Sequence, residues 1–495
     1  MPNPNNGKGK GILEQIARRV MKENGFLPDF SIAALNELAK IQKVDRGEKA
    51  TMKDLRLLLW ASIDNDDSLD LDQLTVAEAF PDNKVKILVA VADVDTLVKK
   101  NSAIDEHARR NTTSVYTAGK TFPMLPERLS TDITSLNYQG DRPAIVVEMM
   151  ISDVGEINSS DIYHAMVRNH AKLAYNSVAA WLEGKGPAPG QAVAVDPSLA
   201  ENLRVQDRIA QKLRSQRHQR GALELQTLEA RPVFTGDEIQ DLQVEETNRA
   251  KELIEDFMIA ANDVTARFLQ KKQILSLRRV VRSPKRWERI VEIAAQHNYQ
   301  LPSEPDSKAL ALFLASQKIA DPLRFPDLSL VIIKLLGSGE YVVELPNETT
   351  PGHFGLAVKD YTHSTAPNRR FPDLITQRIL KATLDGMPMP YSQSELAELA
   401  KHCTEMEDNA NKVERLVAKS AAAMLLSSMI GNQFDAICTG AADKGTWVRI
   451  FHPPIEGRLL HGYEGIDVGN RLKVRLIHTD VDRGYIDFEK VHSNL

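Results

Sequence analysis

Three apolar runs of strand length, each bounded by polar turns, constrain the fold more than any other feature of this 495-residue sequence. They are LRLLLWASI at 55–63, KILVAVADV at 86–94 and AIVVEMMI at 144–151. Runs that are apolar throughout predict strands buried on both faces of a sheet. LSLVIIKLL at 328–336 and EYVVEL at 340–345 predict later strands, and helices are expected to dominate from 160 to 273 and after Pro372. The predicted fold class is an α/β multidomain protein whose largest part is a mixed α/β domain at 53–430.

Shorter segments are expected on both sides of this domain. Residues 1–10 are polar and turn-forming and predict a flexible tail, and residues 11–52 contain two apolar sets at helical spacing, with Gly25 where a helix would end. The two helices fit a helix-turn-helix module or a plain helical hairpin that packs on the next domain. Residues 431–495 contain five short strand-like runs separated by Gly, Pro and Asp turns, which predict a five-stranded oligonucleotide-binding (OB) barrel.

The predicted barrel has the residue types of a nucleic-acid surface. Three aromatic residues, Trp447, Phe451 and Tyr463, are candidates for stacking faces. Basic residues that could meet phosphates are Arg449, Arg458, Arg471, Lys473 and Arg475. The alternative is that some of these aromatic residues form the core of the barrel.

Composition excludes several protein classes. The contents of 42% hydrophobic and 26% charged residues are those of a soluble protein, and no apolar run approaches the roughly 18 to 20 residues that cross a bilayer. The opening residues lack the apolar core of a signal peptide. Two cysteines, Cys403 and Cys438, are too few for a disulfide framework. We therefore expect a cytoplasmic protein with no membrane association, and the net charge of −5 argues only weakly against nucleic-acid binding.

The segment SIDNDDSLDLDQL at 62–74 concentrates five aspartates. In an extended chain Asp70 and Asp72 point the same way while Leu71 points into the core, and Asp64 ends the preceding strand. Hard carboxylate oxygens that converge in this way suit Mg²⁺ or Mn²⁺. An EF-hand that began at Asp64 would need Gly and Glu where Leu69 and Thr75 stand, so the segment does not have the pattern of an EF-hand. The alternative is a solvated loop in which the aspartates cap turns.

A second group of polar residues lies at 360–378, in DYTHSTAPNRRFPDLITQR. Arg369 and Arg370 precede a helix whose start Pro372 marks, where arginines can grip a phosphate in a bidentate fork. The alternative is that they pair with Asp360 or Asp373. Carboxylates for a metal together with a phosphate-binding arginine point to phosphoryl transfer or phosphodiester cleavage.

From about Leu57 to the C-terminus the sequence resembles the ribonuclease II (RNB) family of 3′-to-5′ exoribonucleases. The resemblance rests on these motifs, in this order: SIDNDDSLDLDQL, VAVADV, VYTAGKTFPMLPERLSTDITSL, AKLAYNSV, RGALEL, LIEDFMIAAN and GLAVKDYTHSTAPNRRFPDL. It implies an RNB catalytic domain followed by an S1 barrel. It further implies a monomeric, Mg²⁺-dependent hydrolase that degrades single-stranded RNA to nucleoside 5′-monophosphates, with one or two metal ions that Mn²⁺ can replace.

The resemblance also assigns roles to single residues. Asp64, Asp70 and Asp72 match the metal-binding aspartates, and Arg369 matches the arginine that contacts the scissile phosphate. Further matches predict RNA contacts for Tyr116, Tyr175, Glu255 and Glu414. With Arg370, Trp447 and Phe451 from the motifs above, they complete the set of predicted RNA-binding residues. Among them Tyr116 corresponds to the aromatic residue that stacks near the 3′-terminal nucleotide, and Glu255 to a glutamate near the ribose.

Three features depart from the family pattern. Gln73 stands where the family usually has a fourth aspartate, and Leu225 stands where some members have a stacking phenylalanine. The short helical module stands where two cold-shock barrels are usual. The first departure leaves open a rival hypothesis, which is a catalytically silent RNA-binding or scaffold protein of the same fold. A transcription factor that uses the N-terminal helices on DNA would leave most of the chain unexplained.

Overall fold

The computed structural model describes residues 9–41, 52–227, 229–245, 247–442 and 445–491. Most of the expected tail and the end of the expected helical module, residues 1–8 and 42–51, lie outside the described residues. Residues 9 and 10, which were expected in the tail, already belong to the first helix.

Helices make up most of the second half of the main domain, and several helices of the chain begin where the sequence supplies a capping side chain. Ser31, Ser102, Asp196, Asn248 and Ser392 each accept a hydrogen bond from a backbone N–H of the first turn. The helices are α1 Gly9–Glu23, α2 Ile32–Lys40, α3 Ala103–Asn111, α4 Tyr175–Leu182, α5 Gln191–Val195, α6 Pro197–Gln219, α7 Arg249–Lys271, α8 Trp287–Gln296, α9 Ser307–Ala320, α10 Phe325–Leu336, α11 Phe371–Leu384 and α12 Gln393–Leu426.

In the described residues the strands form one large sheet, a C-terminal barrel and three two-stranded sheets, β5-β6, β10-β11 and β12-β13. They are β1 Lys53–Asp54, β2 Ala61–Asp64, β3 Gln73–Ala79, β4 Val85–Ala92, β5 Val115–Tyr116, β6 Thr121–Phe122, β7 Asp141–Ile151, β8 Ile157–Arg168, β9 Ala171–Ala174, β10 Glu229–Thr235, β11 Glu238–Glu245, β12 Ser276–Val280, β13 Glu340–Glu344, β14 Gln433–Ala442, β15 Gly445–Ile450, β16 Glu456–His461, β17 Arg471–Asp480 and β18 Tyr485–Lys490.

The main sheet has the strand order β1-β8-β7-β4-β3-β2-β9. Its centre is antiparallel, and the outer pairs β1/β8 and β2/β9 are parallel. The central strand β4 is buried along almost its whole length, as its apolar run predicted, and belongs to the largest core of the molecule together with residues from α6, α7 and α11. The expected mixed α/β fold is therefore confirmed.

Three expectations for the main domain were wrong in part. The run at 55–63 forms a strand only from Ala61, because a turn precedes it in which the Trp60 indole N–H donates to the Leu55 carbonyl. The 328–336 run lies in the helix α10, whose residues Ile332 and Leu335 are buried among α8 and α9, since an apolar run by itself does not distinguish a strand from a buried helix. The region from 160 to 273 contains not only helices but also most of β8 and the strands β9 to β11.

Both N-terminal helices pack on the main domain. The helix α1 lies against α12, and α2 lies against α3. Gly25, with φ +87°, follows α1 as the sequence predicted. The choice between a helix-turn-helix module and a plain helical hairpin stays a prediction.

The five C-terminal strands close into a barrel in the order β14-β15-β16-β18-β17, which confirms the predicted OB-type fold. Its interior is apolar and includes Val448, Ile450 and Phe488. Of the helices in the described ranges, none combines the length and the apolar character that a bilayer crossing requires.

Candidate active site

One edge of the main sheet brings together residues that are distant in sequence. The strand β2 ends at Asp64 and pairs in parallel with β9, so that Asp64 lies opposite Ala174 and next to Tyr175 at the start of α4. Because β2 and β3 are antiparallel, Asp72, the residue before β3, comes to the same edge. The Asp72 carbonyl accepts the Ala92 N–H at 2.9 Å, which ties this position to the end of β4.

The aspartate segment, residues 64–72, is fixed by hydrogen bonds from outside. The Leu71 N–H donates to the Ser135 hydroxyl oxygen at 3.0 Å, and that hydroxyl donates to the Leu69 carbonyl at 2.8 Å. The Leu136 N–H donates to the Leu71 carbonyl at 2.9 Å. Leu71 is buried between its acidic neighbours, as the alternation in sequence predicted. Asp66 and Asp67, by contrast, are exposed.

Asp72 is the most enclosed acid of the site, with 2% of its surface exposed. Its Oδ1 accepts the Asn368 N–H at 2.9 Å, and its Oδ2 lies 3.5 Å from Nε of Arg369. Burial, reinforced by the nearby charge of Asp70, raises the pKa of Asp72 to about 7, although Arg369 and the Asn368 N–H act in the opposite direction. Among the described residues Oδ2 has no hydrogen-bond partner. This buried oxygen needs a ligand, a proton or a cation.

Asp70 and the two tyrosines surround the same point. Burial and the charge of Asp64 raise the pKa of Asp70, and Arg369 and the Tyr116 hydroxyl oppose that rise. Burial also raises the pKa of both Tyr116 and Tyr175, which interact electrostatically with Asp70 and Asp64 respectively. The Tyr116 side chain is enclosed at its hydroxyl, yet Tyr116 keeps 45% of its surface exposed. The structure thus brings together Asp64, Asp70, Asp72, Tyr116, Tyr175 and Arg369.

The two consecutive arginines point to different surroundings. Arg369 is 42% exposed, and its closest carboxylate is that of Asp72. Arg370 forms an ion pair with Asp373 at 2.8 Å, and its guanidinium interacts with Tyr341 and Tyr361 in the interior. The alternative in which an arginine of this motif pairs with Asp373 therefore holds for Arg370, and its predicted RNA contact is not supported by this position.

Of the two glutamates predicted to contact RNA, Glu414 binds a residue of the site and Glu255 does not. Oε1 of Glu414, on α12, accepts the backbone N–H of Tyr116 at 2.7 Å, so Glu414 fixes the chain that carries the tyrosine. Glu255 is exposed on α7, and its charge acts on Arg214 and Asp256. The structure does not bring Glu255 into contact with the aspartate segment.

Of the barrel residues predicted to bind nucleic acid, some lie at the surface of the barrel and one pairs with the main domain. Trp447 lies on the outer face of β15, because Thr446 and Val448 on either side are buried. Phe451 is half-buried, and the guanidinium of Arg471 lies 5.8 Å from the centre of its ring. Arg449 pairs with Asp327 on α10 at 2.7 Å and so joins the barrel to the main domain.

Two departures from the family pattern have structural consequences. Gln73 is half-buried at the start of β3, opposite Val91. Leu225 packs against the apolar cluster of α8, α9 and α10, so its side chain serves that interface.

The acidic residues of the site fit a hard divalent cation in the nature of their donors. Asp72 has a buried oxygen without a hydrogen bond, the charge of Asp70 acts on Asp72, and that of Asp64 acts on Asp70. Carboxylate oxygens are the ligands that Mg²⁺ prefers. In the described part of the chain, however, no three His, Cys, Asp or Glu side chains are close enough together to hold an ion in this conformation.

Sequence reasoning missed the residues that hold the aspartates. Asn368 is 1% exposed, and its side-chain oxygen accepts the Thr134 hydroxyl at 2.6 Å while its backbone N–H binds Asp72. Ser135 lies in the motif that ends TDITSL, but nothing in that motif indicates that its hydroxyl bridges residues 69 and 71. Asn368 precedes Arg369 in the second motif, but its contact with Asp72 uses the backbone N–H, which no residue type in the sequence reveals.

Comparison with known families matches the description "RNB domain" to residues 52–386, and "RNase II-type exonuclease C-terminal S1 domain" to residues 432–491. The first match alone covers more than half of the chain. The chain belongs to the RNB family. The resemblance seen in the sequence motifs is thereby confirmed.

Named relatives and solved structures agree with this assignment. The chain is 30% identical to ribonuclease R of Escherichia coli, over 98% of this chain and 63% of the relative, so it spans less than two thirds of that protein. The RNase R of Mycoplasma genitalium, solved in complex with ribose-methylated single-stranded RNA, superposes with a TM-score of 0.88 at 23% identity, over 98% of this chain and 79% of that one. Yeast Ssd1, described as a pseudonuclease, superposes with a TM-score of 0.72 at 15% identity, over 90% and 55%. Since a pseudonuclease shares the fold, the fold alone does not decide activity.

Proposed function

We propose that this protein is a Mg²⁺-dependent hydrolytic exoribonuclease that shortens single-stranded RNA from the 3′ end and releases nucleoside 5′-monophosphates. One observation carries the proposal: in an RNB domain, the buried Oδ2 of Asp72 accepts no hydrogen bond and lies 3.5 Å from Nε of Arg369, whose side chain is 42% exposed. The relatives named ribonuclease R and the RNA complex of the Mycoplasma enzyme support RNA as the substrate class.

Asp64, Asp70 and Asp72 would hold one or two Mg²⁺ ions, with Mn²⁺ as a substitute. A bound divalent cation supplies an acidic water molecule and polarises the phosphate. Asn368 and Ser135 keep the acidic segment in place for this purpose.

Arg369 is the group that would meet the scissile phosphate. Its side chain is 42% exposed, and its planar guanidinium can bind two phosphoryl oxygens at once and stabilise the charge that grows on them. The bond from water oxygen to phosphorus forms as the bond from phosphorus to the 3′ oxygen breaks. The 3′ oxygen, which belongs to the shortened RNA, then takes up a proton. The phosphate stays on the terminal nucleoside, which is released as a 5′-monophosphate.

Tyr116 would stack on the 3′-terminal base. Its exposed ring gives a face that accepts any base, and its hydroxyl is anchored beside Asp70. Tyr175 lies at the same edge beside Asp64 and would contact the adjoining sugar or phosphate. On the barrel, Trp447 and the Phe451–Arg471 pair would contact RNA upstream of the site. We further expect a monomer that acts in the cytoplasm, in keeping with two free, buried cysteines.

The test is cleavage of a single-stranded oligoribonucleotide labelled at its 5′ end. With Mg²⁺ a ladder should shorten from the 3′ end and release mononucleotides, and EDTA should stop it. Intact RNA with Mg²⁺ would refute the proposal, as would undiminished cleavage in EDTA.

The rival function is a silent RNA-binding or scaffold protein. Gln73, which replaces the family's fourth aspartate, favours this rival, and Ssd1 shows that the fold exists in a pseudonuclease. Tight binding of the labelled RNA without any shortening in Mg²⁺ or Mn²⁺ would support it.

A further inference from the structure

We propose that the N-terminal helix α1 positions Tyr116 by supporting the tyrosine hairpin, residues 115–122, from behind. The inference rests on the proposed function, since it assigns α1 a part in gripping the 3′-terminal nucleotide. The hairpin needs such support, because β5 and β6 pair only through Val115 with Phe122 and Tyr116 with Thr121. A hairpin of this size does not hold its conformation alone in water.

The inner face of the hairpin is apolar and shares a core with α1. Val115 and Phe122 are at most 2% exposed. The same cluster contains residues of α1 and α12, which are Leu13, Ile16, Ala17, Val20, Met21, Met406, Ala410, Val413, Val417 and Ala421. The hairpin therefore lies on a surface that α1 and α12 build together. Because side chains alternate along a strand, burial of Val115 turns Tyr116 toward the aspartates.

The tip of the hairpin touches the backbone of α1. A Cβ at Gly119 would lie 2.6 Å from the Glu14 nitrogen and 2.7 Å from the Leu13 carbonyl carbon, so no larger residue fits without displacing the helix or the turn. Gly119 does not have a left-handed φ, so space and not backbone conformation requires glycine here. Lys120 adds an ion pair with Glu14 at 3.3 Å.

The base of the hairpin is tied to the catalytic machinery. The Ser114 N–H donates to the Arg369 carbonyl at 2.9 Å, and the Tyr116 N–H donates to Glu414 on α12. The tip on α1 and the base beside Arg369 together fix the direction of the Tyr116 ring. A shift of α1 should therefore change the grip on the terminal base before it changes the aspartate segment, which other residues hold.

The experiment compares two Gly→Ala variants of the full chain. Gly119→Ala forces the tip away from α1, whereas Gly11→Ala places the same methyl group on the exposed face of α1, where nothing lies within 4 Å. Binding is followed by fluorescence of 2-aminopurine at the 3′-terminal or at an internal position of an oligoribonucleotide in EDTA, and turnover is measured in Mg²⁺. Leu13→Ala, which removes buried contacts with the hairpin from the α1 side, serves as a second probe if Gly119→Ala does not fold.

We expect Gly119→Ala to lose most of the fluorescence quenching at the terminal base, with an unchanged internal signal and kcat lower by about tenfold. Gly11→Ala should behave as wild type. In a Tyr116→Ala background, Gly119→Ala should add little further loss, because both changes act through one ring. Equal terminal quenching in all variants would overturn the inference, as would fully additive losses. If wild type itself fails to shorten RNA, the proposed function fails, whereas the fluorescence comparison still tests the positioning role.

Discussion

The aspartate segment and the tyrosine hairpin contribute to the same site but are held by different kinds of contact. Hydrogen bonds from Ser135, Leu136 and Asn368 fix the aspartate segment. Apolar packing on α1 and α12 holds the inner face of the hairpin, and polar contacts from Glu414, Glu14 and the Arg369 carbonyl hold its two ends. The acids therefore depend on partners within the RNB domain, and the aromatic residue depends on a helix that precedes it.

This difference follows from what each group must do. Carboxylates in a buried place need directed donors, since an unpartnered charge in the interior is costly. A stacking ring needs only a firm support behind it, which close packing provides without direction. Damage to the first region should therefore affect chemistry, and damage to the second should affect the grip on the terminal base.

The largest effect is expected from Asp72→Asn. The change removes a charge from the buried oxygen that lacks a partner and alters little volume, so kcat should fall by about 10³-fold or more while RNA affinity stays nearly unchanged. Gel-based cleavage and fluorescence anisotropy measure the two properties. Asp153→Asn, in an exposed turn, is the matched control. Normal turnover of Asp72→Asn would show that the acidic segment is not the metal site.

The two consecutive arginines should give the next largest difference. Arg369→Lys keeps the charge but loses the bidentate fork, and kcat should fall by about 10²-fold. Arg370→Lys disturbs the buried pair with Asp373, so its main effect should be a lower melting temperature. Steady-state kinetics and thermal unfolding of both variants separate the roles. Equal loss of kcat in both variants, at unchanged stability, would contradict the assignment.

The pH dependence of stability should reveal the acidic segment without any RNA. Asp72 has a pKa of about 7 in the folded state, against an ordinary value of 3.8. Its proton is therefore held more tightly in the folded state, and the stability that it contributes is present below pH 4 and lost as pH rises through 7. The loss should amount to about 4 kcal/mol in the absence of metal. Mg²⁺ should accordingly raise the melting temperature more at pH 8 than at pH 5, and Asp72→Asn should remove this difference.

The smallest effect is expected from Ser135→Ala. Loss of the hydroxyl leaves the buried Leu71 N–H without its acceptor, at a cost of about 1–3 kcal/mol, and should lower kcat several-fold. The terminal 2-aminopurine signal should not change, in contrast to Gly119→Ala. Ser159→Ala, on an exposed part of β8, is the control. A changed terminal signal in Ser135→Ala would mean that the two regions are not independently held.

Much of the fold and part of the site were predictable from the sequence. The apolar run of β4, the alternation around Leu71 and the five strands of the barrel depend on local periodicity, which the sequence displays directly. The helix α10 was mistaken for a strand, because a short apolar run fits both structures until its neighbours are known.

The roles of single residues were also predictable where they depend on local sequence, and not where they depend on neighbours in space. Asp64, Asp70, Asp72, Tyr116 and Arg369 were found from motifs and do meet at one edge of the sheet. Arg370 was expected to contact RNA together with Arg369. Its guanidinium instead forms an ion pair with the buried Asp373. The metal ligands and the RNA contacts remain predictions for the experiments above.

The sequence by itself determined the RNB family, the order of the main domain and the barrel, and the acids and the arginine of the candidate site. These features are carried by residue types and by spacing along the chain. Only the tertiary structure showed that Ser135 and Asn368 bind the aspartate segment and that α1 packs against the tyrosine hairpin. Each of these contacts joins residues that lie from about sixty to several hundred positions apart, and such pairs meet only when the sheet and the helices have packed.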